Sequence, residues 1–246
     1  MNDHGDTGWA HGPLVGFDTE TTGVDVTRDR IVTAAVVVRA PGRHTDVRTW
    51  LLDPGVEIPT EATAIHGITT AHARGRGRPP AGALDEIARS LVSHLRAGTP
   101  LVAYNATFDL SLLDVELARH GLATLAERLG RPVAPVLDPL VLDRWLDGGR
   151  EGKRRLGDLC ALYGIAGDLA LHTADVDVLA TLDVLDAQLV RHPHLRGVAL
   201  DALHAAQAGA YRRWAQRVNA ERAAEAVPRP PAPVAWPADR VAAVAR

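Results

Sequence analysis

The chain has 246 residues, 46% hydrophobic and 23% charged, enough for one α/β domain with a real core and an appendage. It has no run of about 18 apolar residues to cross a membrane, and its single cysteine, Cys160, excludes an intrachain disulfide and a cysteine-rich zinc site. A formal net charge of −3 excludes the strongly basic surface of a protein that holds long duplexes, though not one that grips a strand end through few phosphates.

Residues 1–10 carry Asp3, His4 and Asp6 and lack the apolar segment of a signal peptide, so a cytoplasmic location is expected. The runs 13–19 (PLVGFDT) and 31–39 (IVTAAVVVR) are β-branched and apolar and read as adjacent strands. A third run, 47–52 (VRTWLL), stops at the turn signal Asp53-Pro54-Gly55, which completes an antiparallel meander. Leu84, Ile87, Ala88, Leu91, Val92 and Leu95 then follow helical spacing up to Gly98. Residues 101–104 (LVAY) predict a strand and 107–120 a helix ended by Gly121. A weaker strand is expected at 133–137, because Pro135 interrupts it. Helices follow around Leu140, Leu142 and Trp145, over 155–163 and over 174–190. A meander followed by β-α-β-α alternation implies a mixed sheet covered by helices. Residues 198–226 carry Leu200, Leu203, Gln207, Tyr211, Trp214 and Val218 at helical spacing, and the Pro-rich 228–237 is expected to be extended and mobile.

Three stretches carry chemistry. In Asp18-Thr19-Glu20, at the end of the first strand, residues i and i+2 share a face, so both carboxylates project to one side. Like charges held that close repel, and a divalent cation such as Mg²⁺ or Mn²⁺ relieves them in an all-oxygen site. Taken alone, the pair reads more readily as a solvated strand end before the turn Thr21-Thr22-Gly23. Tyr104-Asn105-Ala106-Thr107-Phe108-Asp109 follows a strand and opens a helix; Asn105 and Thr107 suit capping as well as ligand contact, and Phe108 suits the core. In His172-Thr173-Ala174-Asp175-Val176-Asp177, five helical steps of about 100° would turn His172 and Asp177 apart. They converge if His172 lies in a loop and Asp177 in the first helical turns, with Thr173 as the N-cap. Asp175 then reads as an acid that stabilises the helix start.

The order and placement of these stretches resemble the DEDDh 3′→5′ exonucleases, the family that includes the proofreading epsilon subunits of bacterial DNA polymerase III. The matching motifs are Val15-Gly16-Phe17-Asp18-Thr19-Glu20-Thr21-Thr22-Gly23, Ala103 to Asp109, His172 to Asp177, and Ala64-Ile65-His66-Gly67-Ile68-Thr69. Tyr104 departs from the pattern, since relatives often carry histidine there. The resemblance covers about residues 13–190. It implies a ribonuclease H-like α/β fold, with a mixed five-stranded sheet (antiparallel meander, then parallel strands) flanked by helices. It divides the chain into an extension (1–12), the exonuclease domain (13–193), a helical extension (194–227) and a Pro-rich tail (228–246).

The resemblance also implies a mechanism that uses two divalent cations, Mg²⁺ or Mn²⁺. Asp18 bridges both, Glu20 and Asp177 complete the nucleophile side, Asp109 holds the other, and His172 acts as general base. Thr19, Thr22, His66 and Asn105 are expected to contact the terminal nucleotide, although Thr22 reads equally as a turn residue. The expected partner is a nucleic-acid 3′ end, with single-stranded or frayed DNA favoured and nucleoside monophosphates released. An RNA-trimming exonuclease of the same superfamily and a non-catalytic nucleic-acid-binding scaffold are the alternatives. Arg74-Gly75-Arg76-Gly77-Arg78, read as flexible, and Lys153-Arg154-Arg155 could track phosphates or form ordinary solvated surface. The 198–226 helix could dock a polymerase or clamp, or pack back onto the nuclease core.

Overall fold

In a computed structural model that describes residues 8–165, 172–225 and 230–238, the apolar runs form a five-stranded mixed sheet. Its strands are β1 (Leu14–Thr21), β2 (Ile31–Arg39), β3 (Asp46–Leu51), β4 (Leu101–Val102) and β5 (Val136–Leu137), in the order β3-β2-β1-β4-β5. β1 to β3 form the antiparallel meander, and β4 and β5 add on parallel to β1. The fold is thus the expected α/β one, with β1 at the centre. The expected 133–137 strand shortens to two paired residues, since Pro135 has no N–H to give a ladder.

The alternation of β1 sends its residues to two separate cores. Val15 and Phe17 pack beneath α3 (Pro80–Arg96) and α4 (Ala106–Arg119), while Leu14 faces α8 (Ala174–Arg191). Gly16 shares the α8 face, and a Cβ there would stand 2.2 Å from Val178 Cγ1. Glycine lets α8 lie directly on the central strand.

Short helices complete the chain: α1 (Thr60–His66) and α2 (Thr70–Arg76) before α3, α5 (Leu125–Leu129), α6 (Pro139–Leu146) and α7 (Leu156–Tyr163). The Arg74-Gly75-Arg76 stretch, expected to be flexible, therefore lies in a helix, capped by the Thr69 hydroxyl accepting from the His72 amide.

The last described helix, α9 (Leu200–Ala223), packs back on α6 and β5. It buries Leu200, Leu203, Gln207 and Tyr211, so most of the stripe considered for a polymerase or clamp is already covered. It also closes the edge of the sheet. The Val136 amide donates to His204 Nδ1 at 3.1 Å, Gln207 Nε2 donates to the Val136 carbonyl at 3.2 Å, and the Asp138 amide donates to Gln207 Oε1 at 2.8 Å.

Residues 230–238 of the Pro-rich stretch dock rather than swing free. The Asn219 amide side chain exchanges two hydrogen bonds with Ala232, at 2.9 and 2.7 Å, and Trp236 lies against His204. The rest of the expected tail, and residues 1–7 of the expected extension, lie outside the described residues. Within the described part, Trp9 is buried and donates to the Val198 carbonyl. No described helix is long and apolar enough to cross a membrane.

Candidate active site

Asp18 and Glu20 share the strand parity of Gly16, so both emerge on the α8 side of β1. Asp177 precedes the valine that fills the Gly16 notch, which sets its carboxylate beside theirs. Carboxylate oxygens of Asp18, Glu20 and Asp177 lie within 4.8 Å of one another. The β1–β2 register slips between Glu20 and Thr21, a bulge at the strand end of the kind that re-aims side chains.

Asp109 arrives from the other layer. It sits in the first turn of α4, buried at 3% exposure, and one oxygen accepts from both the Thr19 amide (3.1 Å) and the Thr19 hydroxyl (2.6 Å). Thr19 has the parity opposite to Asp18, and so reaches the α4 side. Asp109 is thus held apart from the three-carboxylate cluster, yet close enough to act on it electrically.

Burial pushes the Asp18 carboxyl well up, and Asp109, Asp177 and Glu20 add to the rise. Glu20 is pushed up to about 7 by burial, then by Asp177 and Asp109. Burial raises Asp109 against the opposing Thr19 bonds, and raises Asp177 against the opposing His172 amide. Four acids that resist ionising together, offering only oxygen donors, fit a divalent cation of the hard, oxygen-binding kind. Among the described residues, Asp18, Glu20 and Asp177 form the group suited to hold a metal ion.

His172 lies in the loop before α8 with φ +90°, exposed, and its amide donates to Asp177 Oδ1 at 3.1 Å. Loop histidine and helix-start aspartate therefore converge. Thr173 occupies the N-cap position of α8 without a side-chain bond.

The expected nucleotide contacts divide. His66 is buried at the end of α1, with Nδ1 accepting from the Ile68 amide and Nε2 without a hydrogen-bond partner. Burial lowers its affinity for a proton, and the neighbouring Thr21 backbone opposes that shift, which places it at the β1 end. Asn105 is exposed in the left-handed conformation (φ +56°) and makes no side-chain cap. Thr19 directs both donors to Asp109, not outward. Thr22 is a turn residue: its hydroxyl donates to Asp29 (2.9 Å) and accepts from the Arg30 amide (3.0 Å).

Each basic stretch has one arginine engaged with an acid. Arg78 forms a double hydrogen bond with Glu86, and Arg154 with Arg150 neutralises buried Asp143. Asp138 was missed. Buried at 1% exposure, its carboxylate accepts from the Asn105 and Ala106 amides, which start α4, and from Leu140, which starts α6. The signal was legible in Asp138-Pro139, an N-cap acid followed by proline at the first helical position.

The sequence pattern of the exonuclease family (RNase T type) matches residues 15–185, a span that contains every acid of this site. The chain belongs to the exonuclease family. This exonuclease chain is 36% identical over 188 residues to a DNA polymerase III subunit epsilon-like protein of Rhodobacter capsulatus, covering 73% of this chain and 25% of that protein. It is 32% identical over 166 residues to the PolC-type DNA polymerase III of Streptococcus thermophilus, covering 67% and 10% respectively. Among solved structures it superimposes on the moderately thermophilic exonuclease I of Methylocaldum szegediense with a TM-score of 0.62 and 28% identity, over 75% of this chain and 42% of that one. The exonuclease chain thus matches a quarter or less of these curated relatives' length.

Proposed function

We propose that this exonuclease removes nucleotides singly from the 3′ end of DNA, releasing nucleoside monophosphates, with two divalent cations, Mg²⁺ or Mn²⁺, as cofactors. The observation that carries the reading is the crowding of Asp18, Glu20 and Asp177 within 4.8 Å at the end of the central strand. DNA is favoured over RNA because the similar proteins of R. capsulatus and S. thermophilus carry DNA polymerase III names. A polymerase partner and a cytoplasmic location are part of the same reading.

Bound cations supply charge neutralisation to a phosphate under attack. Asp18, Glu20 and Asp177 would hold them, with Asp109 completing the set from the α4 side. Thr19 keeps Asp109 ionisable by donating two hydrogen bonds to its carboxylate. His172 stands at the exposed mouth, where its imidazole would take the proton of the attacking water. His66, with its unpartnered Nε2, and exposed Asn105 flank the terminal nucleotide.

The test is a ladder assay on end-labelled single-stranded DNA, mismatched duplex and RNA with Mg²⁺. DNA should shorten from its 3′ end, and EDTA should stop it; cleavage that persists in EDTA overturns the metal reading. Asp18→Asn should lower the rate more than about a thousandfold, or ~4 kcal/mol. His172→Ala should lower it more than about tenfold, ~1.4 kcal/mol, with Mn²⁺ binding by calorimetry retained. A smaller loss removes the general-base role.

A further inference from the structure

Away from the carboxylates, α6 and α9 enclose a cavity of about 210 Å³ that the proposed mechanism does not use. Its walls carry three arginines and three aromatic rings, Arg144, Arg213, Arg217, Trp145, Tyr211 and Trp214, and no acidic residue. The Arg144 guanidinium lies over the Trp214 ring, 3.9 Å from its centroid, and Tyr211 tilts against Trp214 at 5.4 Å. Trp145 is 39% exposed, and Arg213 and Arg217, one turn apart on α9, face solvent. In a chain of net charge −3, whose Arg78, Arg150 and Arg154 are already paired with acids, the cavity wall itself carries no acid, and Arg217 has only an exposed contact with Glu221, at 3.9 Å along the same helix.

We infer that this cavity is a second binding site for single-stranded nucleic acid, which holds the strand a few nucleotides upstream of the end being cut. The inference deepens the proposed function and rests on it for the direction of the strand. Indole faces offer stacking to any base, and exposed guanidinium groups neutralise phosphates without reading sequence, which is the pairing that a single strand requires.

The position of the cavity fits that use. β1, β4 and β5 run parallel, so their carboxyl ends lie along one edge of the sheet. Asp18 and Glu20 stand at the end of β1, and α4 and α6 start from the ends of β4 and β5. The single carboxylate of Asp138 caps both helices. Burial lowers the Arg144 guanidinium, and Asp138 and Tyr104 oppose that shift, so the inner arginine adjoins the turn that leads to Asp109. Two strand spacings of about 4.8 Å and at most the roughly 12 Å length of the eight-residue α6 put the cavity within about 20 Å of the carboxylates. At about 3.4 Å per stacked base, that is at most about six nucleotides.

The experiment compares the full chain with Arg213→Glu/Arg217→Glu and with Trp145→Ala, all at solvent-facing positions. Binding of a labelled oligothymidylate of about 16 nucleotides is read by fluorescence anisotropy in EDTA, so that cleavage plays no part. The inference expects at least about tenfold weaker binding in each variant, and a shallower salt dependence in the double one. Cleavage with Mg²⁺ should fall for strands longer than about six nucleotides and stay unchanged for a trinucleotide. Unchanged oligothymidylate binding in both variants overturns the inference, even where the wild-type chain degrades DNA. An acidic peptide of matched charge that binds more tightly than the oligonucleotide, and is lost in the same variants, overturns it in favour of a protein-docking surface. A wild-type chain that binds the strand through these residues but cuts nothing supports the cavity and instead sinks the catalytic reading.

Discussion

Thr19 lies between two acids of the first motif, and its amide and hydroxyl both point to one oxygen of Asp109. The outer-shell partners of a metal-binding carboxylate set its orientation and basicity, and losing one typically costs 10–100-fold in affinity or activity. Thr19→Val should therefore lower kcat/KM at least about tenfold. Because the hydroxyl lowers the Asp109 carboxyl, the acid limb of the pH–rate profile should also move upward. The carboxylates make a second expectation through stability. Burial raises Asp18, Glu20 and Asp177 in the folded protein, and neighbouring acids of the site add to the rise at Asp18 and at Glu20, which goes from 4.5 to about 7. Between those values the folded chain holds more protons than the unfolded one, so stability falls as pH rises through the window and stays low above it. In EDTA the protein should melt at a lower temperature at pH 8 than at pH 5.5. Mg²⁺ should recover that loss at pH 8, and Asp18→Asn should flatten the pH dependence in EDTA. A melting curve with no pH dependence attributable to Asp18 would contradict the crowded site.

At the scale of elements, two contacts do most to place the site. Gly16 admits α8 to the surface of β1, which sets Asp177 beside Asp18 and Glu20. On the far side, β5 would be an open edge strand of only two residues, with unpaired backbone groups. Gln207 and His204 of α9 satisfy those groups with side chains, so the helix completes the ladder that a sixth strand would otherwise supply. Gln207→Leu keeps the volume and removes three bonds, to the Asp138 amide, the Val136 carbonyl and the Leu203 carbonyl, the first two of which hold the sheet edge. A cost of about 2 kcal/mol follows, which for a chain of this size lowers the melting temperature by roughly 4–8 °C. An unchanged melting temperature would show that α9 merely rests on the sheet.

Over the whole molecule, the described ends of the chain close on the same core. Trp9 donates to the Val198 carbonyl, α9 covers α6 and β5, and residues 230–238 lie along α9. Truncation after Gly197 would uncover the β5 edge and the apolar side of α6. The shortened chain is expected to aggregate, and a soluble, fully active product by light scattering and ladder assay would refute that packing role. The Arg–Trp cavity would vanish with the same truncation, since five of its eight lining residues are on α9.

Residue order alone determined what depends on local period and local turn chemistry. The alternation of a strand put Asp18 and Glu20 on one face, and helical spacing located α3, α4, α8 and α9 to within a few residues. The loop-then-helix placement of His172 and Asp177 followed from the angle between helical positions. Short helices such as α1, α2 and α5 escaped because one or two turns carry too little periodicity to distinguish them from polar loop. Tertiary structure decided the rest. Asp109 and Asp177 reach the end of β1 from opposite layers only because β4 pairs parallel beside it and Gly16 admits α8. The partner of Thr19 likewise depends on which distant segment arrives alongside, and those of Thr22, Arg78 and Arg154, seven to eleven residues away, depend on how the chain between them folds back. A hydrogen bond or ion pair is settled by distances of a few ångströms in space, and separation along the chain does not encode them.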